Sequence, residues 1–381
     1  MMPNGALIIE GHIQGLSNVR ALGERGIPVY VADCTRCIAQ YSKYCTKAFR
    51  CPPFLSDEFI PFLVHLGQTE NFSNWLILAS NDHIVEQLSK HKQELSPYYS
   101  VVVPDYCVLT KIVDKQALAS LAASVGTHVP ASCDSTSIQD SREMRFPVLI
   151  KGRNGLSFYK TLHKKAIIAN TPEELATTVK GIPPQVDFLI QEKIQNSHDE
   201  AISFSCFSVD GSIKSYWMGA KIREHPLRFG TATFAQSVLI PELLTEATPL
   251  ISALSYTGIC EIEFMFDERD GHYKLIEINP RTWLWVGLAR RCGCDFALMM
   301  YNFANGIRQT FPSQYKVGVK WINLMTDIPY SAKAIAKGHL SVKDYLASFQ
   351  GETVHAVWNL HDLKPALVLP FLSFHILKHR R

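Results

Sequence analysis

Charge of one sign is what this 381-residue chain most lacks: 38 Lys and Arg stand against 35 Asp and Glu, a net +3. So mild an excess, with no long basic run to concentrate it, argues against a nucleic-acid partner. Long apolar runs are missing too. None approaches the roughly 20 residues that span a bilayer, so no transmembrane segment is expected. Residues 1–10 place no positive segment before their short apolar stretch, which reads as a first strand and not a signal peptide. The expectation is a cytoplasmic chain. Cys34 and Cys37 have zinc-like spacing, but no second Cys-x-x-Cys and no His-x-x-x-His pair completes a site. The ten cysteines therefore read as free thiols in a reducing compartment. Internal repeats and low-complexity tracts are absent. Gly11-His12-Ile13-Gln14-Gly15 is not Gly-x-Gly-x-x-Gly, which removes the dinucleotide fingerprint.

What remains is ordinary globular composition, 47% hydrophobic and 19% charged, in a chain long enough for two or three domains. Strand 6–9, helix 16–26 and strand 27–33 form a βαβ unit whose first turn carries glycines, as a tight turn facing a substrate cleft would. Strand 75–79 runs into Ser80-Asn81-Asp82-His83. At a strand's C-terminal end Asp82 is either a substrate contact or the N-cap of a helix over 84–92. Strand 99–103 and the break at Pro104-Asp105 close a parallel α/β domain at residues 1–105.

Strand 146–150 then delivers Lys151, and a loop over 152–165 carries Lys160, Lys164 and Lys165. Gln191-Glu192-Lys193-Ile194 ends another strand near His198-Asp199-Glu200. Strands 201–209 and 212–219 turn at Asp210-Gly211, a hairpin dipeptide. Lys221 and Arg223 follow, two cations expected on one face of an extended segment. Glu261 and Glu263, then Glu277 and Asn279, lie at period two on two strands joined by Asp267-Glu268-Arg269-Asp270-Gly271. In such a hairpin Glu263, Glu277 and Asn279 converge as hard oxygen ligands, suited to Mg²⁺ (or Mn²⁺) holding a nucleoside triphosphate. The competing reading is a pair of solvated acidic strand faces. The apolar tail 367–377 ends in Lys378-His379-Arg380-Arg381. It reads as a packed terminal helix whose basic end complements its dipole, with a membrane-surface helix as the alternative.

In this order, Asp114-Lys115, Pro147-x-x-x-Lys151, Gln191-Glu192-Lys193-Ile194, Glu263-Phe264 and Glu277-Ile278-Asn279-Pro280-Arg281, the motifs resemble the ATP-grasp superfamily over residues 5–310. The stretch 221–230 and Asn279-Pro280-Arg281-Thr282-Trp283 look most like carboxylate–amine ligases of the D-aspartate ligase type. The resemblance implies an N-terminal pre-ATP α/β domain followed by a two-subdomain ATP-grasp fold, α/β and α+β by class. Its domains would be 1–105, 106–310 (lobes 106–190 and 191–310) and a C-terminal extension, 311–381, packing on the grasp. It also implies that Lys115 and Lys151 neutralise phosphates, that the backbone of 191–194 pairs with adenine, and that Glu192 or Glu200 takes the ribose. Lys221 would join the nucleotide site. Glu263, Glu277 and Asn279 would hold the metal, with Glu261 behind them. Arg281 and Arg223 would meet the anion formed as a carboxylate attacks the γ-phosphate. The implied reaction joins a small, amino-acid-like carboxylate to an amine through an acylphosphate, at the expense of ATP; homodimerisation is compatible with it. The alternatives are a non-catalytic ATP-binding regulator and a carboxylase or carbamoyl-phosphate type of enzyme. One departure stands out: the loop 152–165 has only Gly152 and Gly155 and substitutes lysines for glycines.

Overall fold

Ala6, Leu7, Ile8 and Ile9 are all fully buried, so β1 (Ala6–Ile9) is covered on both faces. It pairs in parallel with β2 (Val29–Asp33) and β4 (Trp75–Ala79), and β3 (Lys47–Arg50) and β5 (Tyr99–Ser100) complete a five-stranded parallel sheet in the order β3-β2-β1-β4-β5. The computed structural model describes residues 4–135, 144–153, 158, 161–164, 166–197, 200–225 and 230–379. The strand order reverses between β1 and β4, so Glu10 and residues 80–82 lie where open α/β sheets bind their ligands.

The turn after β1 differs from the sequence expectation. Gly11 and Gly15 are not left-handed; the positive φ, 70°, falls on Glu10. A Cβ on Gly15 would meet the Glu10 carbonyl oxygen at 2.3 Å, and one on Gly11 would meet the Cys37 sulfur at 2.4 Å. Close packing, not turn geometry, requires these glycines. The first helix runs Ile13–Gly23 and is followed, after β3, by Phe59–Thr69. The helix after β4 is Asp82–Lys90, and its N-cap is Asn81, whose side chain accepts from the Ile84 amide at 2.9 Å. Asp82 is therefore in the first turn, not the cap.

A second sheet is antiparallel, in the order β6-β9-β7-β8: β6 (Ser132–Asp134), β7 (Val148–Gly152), β8 (Ala166–Ala169) and β9 (Phe188–Glu192). It has its own small core around Ile150, Phe158, Leu175 and Ile190. Thr171 caps the helix Pro172–Lys180 against it, accepting from the Glu174 amide. β9 crosses residue 190 and belongs whole to this sheet.

The third and largest sheet is ordered β14-β13-β10-β11-β12-β15-β16. β10 (Ala201–Val209) and β11 (Ser212–His225) form the hairpin at Asp210-Gly211, and β12 (Thr231–Val238) continues it. β13 (Gly258–Asp267) and β14 (His272–Asn279) make the acidic hairpin. The segment beyond residue 310 does more than pack on the outside. β15 (Lys320–Ile322) and β16 (Thr353–His355) extend the sheet by two strands, with the helix Leu324–Ala336 between them.

Alternation along β1 sends Leu7 and Ile9 into a core under Phe59–Thr69, and Ala6 and Ile8 into the opposite one. That second core also holds Trp217, Trp283, Trp285 and Trp321, so the parallel sheet and the large sheet share one interior. All ten cysteines are free thiols.

Candidate active site

The acidic hairpin is in register such that Glu263 sits directly opposite Glu277, and Glu261 opposite Asn279. Directly opposed like charges destabilise a sheet, so the arrangement needs cations nearby. It has them. Lys221 on β11 donates to Glu263 at 2.8 Å, with both side chains largely buried. Arg281, just past β14, donates to Asn279 Oδ1 at 3.2 Å. Lys115, on a helix whose Leu118 and Ala122 pack in the large sheet's core, and Lys151, on β7 of the four-stranded sheet, line the same cleft. Between Phe264↔Leu275 and Glu263↔Glu277 the ladder slips by one, leaving Ile276 as a bulge. Bulges re-aim side chains, and here Ile276 and Glu277 both face the cleft despite being neighbours.

Protonation follows the crowding. Burial, then the neighbouring Glu263, pushes the Glu261 carboxyl up from its ordinary 4.5 to about 7, although Lys221, Ser203 and Arg281 pull the other way. Glu261 is held by Ser203 Oγ at 2.7 Å and by the Asn279 amide at 3.2 Å. Glu277 is raised for the same two reasons, partly offset by Lys115 and Lys221. Lys221 goes well above its usual value because Glu263 and Glu261 outweigh the cost of burial. Lys151 moves down to about 8, through burial and then Lys115, against the pull of Glu277; its ammonium donates to Gln191 Oε1 at 2.9 Å.

The cleft has two connected parts that share Lys151, Lys221, Glu263 and Ile276. One is a small, mainly apolar slot of about 80 Å³, bounded by Leu149, Ile194, Ala201 and Met265 with the strand end 191–194 along it. The other is a polar chamber of about 340 Å³ that runs from Lys115 and Lys151 past the acidic pair to Arg281, Trp283 and Trp285.

The site residues expected from sequence separate into two groups. Lys115, Lys151, Lys221, Glu263, Glu277, Asn279 and Arg281 are brought together around the chamber, and Gln191, Glu192, Lys193 and Ile194 line the slot. Lys115 is the first residue of the helix Lys115–Ser124, fixed by its cap Asp114, whose Oδ2 also accepts from Arg153 Nε at 3.0 Å and Nη2 at 2.9 Å. Glu192 turns its carboxylate away, accepting from the Arg145 amide at 2.8 Å and lying 3.5 Å from Arg269. Glu200 precedes the slot-lining Ala201 but is not itself in the lining.

Arg223 is not brought to the site. Lys221 pairs with Ala235 and Arg223 with Phe234, so Ile222 is bulged and the two cations face opposite sides of the sheet. The Arg223 guanidinium instead grips the fully buried Asp327 at 2.8 and 3.0 Å and lies 4.1 Å over the Phe234 ring. Lys160, Lys165, His198, Asp199 and residues 226–229 lie outside the described residues; Lys164 is described and is not in the lining of the chamber or slot.

Two contacts escaped the sequence reading. Asp82 takes the Arg281 fork, Nε at 2.8 Å and Nη2 at 3.2 Å, which ties the C-terminal end of β4 to the acidic hairpin. The tip of that hairpin also clamps the segment after β9: Glu268 accepts from the Ser197 amide and hydroxyl, and its own amide donates to Gln195 O.

A family model described as carbamoyl-phosphate synthase L chain, ATP binding domain, matches residues 226–310, the stretch that contains the acidic hairpin. N5-carboxyaminoimidazole synthetase from Staphylococcus aureus, solved with ADP, superposes with a TM-score of 0.63 over 83% of this chain and 80% of its own, at 17% identity. The chain has the ATP-grasp fold. L-amino acid ligase from Bacillus licheniformis shares that ATP-grasp architecture with a TM-score of 0.58, 15% identity and coverage of 80% and 75%. A D-aspartate ligase from Enterococcus faecium (strain Aus0004) is 23% identical over 244 residues. The chain spans 58% of the length of this curated relative. The slot and chamber are lined by residues of both the four-stranded sheet and the large sheet.

Proposed function

We propose that the cleft belongs to an ATP-dependent carboxylate–amine ligase. A small, amino-acid-like carboxylate would attack the γ-phosphate of ATP, giving an acylphosphate and ADP. An amine would then displace phosphate to leave an amide. The observation that carries this reading is the directly opposed Glu263–Glu277 pair ringed by Lys115, Lys151, Lys221 and Arg281. A solvated acidic face would need neither the burial nor four converging cations.

The parts support distinct roles. The apolar slot suits a purine, with the backbone of 191–194 beside it. Because the Glu192 and Lys193 amides already donate to Ala131 O and Pro147 O, base recognition would fall to other backbone atoms of this segment. Glu192, whose carboxylate also accepts from the Arg145 amide, or Glu200 would take the ribose. Lys115 and Lys151 would neutralise phosphate oxygens as point charges.

Glu263, Glu277 and Asn279 would hold Mg²⁺. Among the described residues no three His, Cys, Asp or Glu form a metal cage. Mg²⁺ requires only one or two carboxylates when substrate phosphates supply the rest, so two opposed carboxylates beside a phosphate pocket fit it. The ion would neutralise charge on the transferring phosphoryl group. Arg281 presents a fixed fork of the kind that suits a carboxylate bidentately, and stabilises charge spreading from the attacking group. The protein's share is positioning and exclusion of water from a labile acylphosphate.

The test is phosphate release by purified protein with ATP and Mg²⁺, screened against amino-acid carboxylates and amines. D-aspartate comes first, because one relative is named a D-aspartate ligase. Transfer of ¹⁸O from the labelled carboxylate into phosphate is the expected result. Release that depends on bicarbonate instead would favour a carboxylase, and ATP binding without release under any pairing would favour a regulator. A cytoplasmic homodimer accords with this reading, and light scattering measures the assembly.

A further inference from the structure

The helix Lys364–His379 is apolar on both of its described faces. Pro365 and Leu372 are buried, and Ala366, Val368 and Leu369 pack on the core shared by the two large sheets. The opposite stripe, Leu363, Leu367 and Phe371, recurs every fourth residue and is 38%, 62% and 83% exposed. A helix apolar all round is ordinarily covered on every side. The uncovered surface continues beyond the helix. Trp358 is 49% exposed, and with Met325 and Leu369 it borders an apolar groove of about 140 Å³.

Charge indicates what covers it. From residue 353 onward the one acid is Asp362. Its carboxylate is buried and faces inward, accepting from Arg20 Nε at 2.9 Å and Ser42 Oγ at 2.7 Å. The same stretch carries Lys364, Lys378, Arg380 and Arg381 with no outward acid to offset them. A second copy docked through the same stretch would bring the same cations and no outward acid of that stretch to offset them. An anionic bilayer offers an apolar boundary for the stripe and negative headgroups for the cations, with Trp358 suited to the interface. Among the described residues no helix is long and apolar enough to cross a membrane, so the contact would be peripheral.

We propose that this face docks on the surface of an anionic phospholipid membrane. Leu367 and Phe371 enter the acyl boundary, and the cations of the C-terminal sequence supply the attraction to anionic headgroups.

The full chain is sedimented with vesicles of phosphatidylcholine alone and with vesicles that also contain phosphatidylserine. Binding to the mixed vesicles is expected, weakened by added salt, with little to phosphatidylcholine. Leu367→Ser combined with Phe371→Ser should weaken it by about tenfold or more, since the lost area is apolar. Both positions are solvent-exposed, and an unchanged thermal midpoint establishes that the variant folds. Arg380→Glu with Arg381→Glu is a second variant, expected to lose binding to the mixed vesicles. Failure of the wild-type chain to bind either vesicle would overturn the proposal, as would equal binding by the apolar variant. A concentration-dependent dimer abolished by the apolar variant, without vesicle binding, would assign the face to a second copy and also overturn it.

Discussion

Glu277→Gln separates what the acidic pair costs from what it provides. In the empty cleft Glu277 and Glu263 are opposed across the ladder, and burial with Glu263 raises the Glu277 pKa. Removing one charge relieves a like-charge cross-strand contact worth roughly 0.2–1 kcal/mol. At roughly 2–4 °C per kcal/mol that predicts a thermal midpoint higher by about 0.4–4 °C without ligand. The ligand response should move oppositely. ATP and Mg²⁺ at about 100 times Kd stabilise the wild type by about 2.7 kcal/mol, and the variant should lose most of that shift. Turnover should fall by about 100-fold or more, as when a fixed transition-state contact is deleted. Differential scanning fluorimetry with and without Mg²⁺ and ATP, paired with phosphate release, reads all three. A variant that is less stable when empty, yet keeps a full Mg²⁺-dependent shift, would refute the reasoning.

Three further outcomes are expected. Glu261 has its folded-state pKa raised from 4.5 to about 7, so the native state binds the proton more tightly and stability of the empty protein should decline as pH rises from about 4.5 to 7; Glu261→Gln should flatten that decline in unfolding midpoints measured across this range. Arg223→Leu leaves the buried Asp327 without its bidentate partner and should cost about 3–5 kcal/mol in urea unfolding. The folded fraction of that variant should bind ATP as before, whereas a direct loss of turnover at unchanged stability would return Arg223 to the site. Asp82→Asn releases the Arg281 fork, so the KM for the carboxylate substrate should fall by about threefold or more; an unchanged KM would mean that Asp82 does not compete with substrate.

Much of the site was legible because it rests on local alternation. Glu261, Glu263, Glu277 and Asn279 sit at period two on strands whose hairpin turn is written in Asp267–Gly271; that turn sets the pairing as far as Phe264↔Leu275, and the slip at Ile276, which the sequence does not announce, brings Glu263 opposite Glu277. Lys151 was legible for the same reason, at the end of an apolar strand. What misled was bulging. Lys221 and Arg223 share a face only if the ladder between β11 and β12 is regular, and the extra residue at Ile222 reverses one of them. Nothing in Lys221-Ile222-Arg223 announces a bulge, and the partner that draws Arg223 away, Asp327, lies about a hundred residues on. Asp82 was ambiguous because a carboxylate one place past a strand serves a cap or a ligand equally well. Asn81 took the cap, which left Asp82 to Arg281. The role of residues 311–381 was least visible: β15 and β16 have three residues each and acquire strand character only from the sheet edge they join.

The common interior of the parallel sheet and the large sheet has a mechanical consequence. Ile8 and Leu78 on one side and Trp217 and Trp283 on the other are packed as one body, which makes a fixed anvil carrying the acidic pair, Arg281 and Asp82. The four-stranded sheet keeps a separate core and carries Lys151. Opening and closing of the cleft would then be a swing of that single jaw. The jaw is tied to the anvil where Glu268 and Arg269 grip residues 192–197, so the turn that joins the two acidic strands would also limit how far Lys151 travels relative to them.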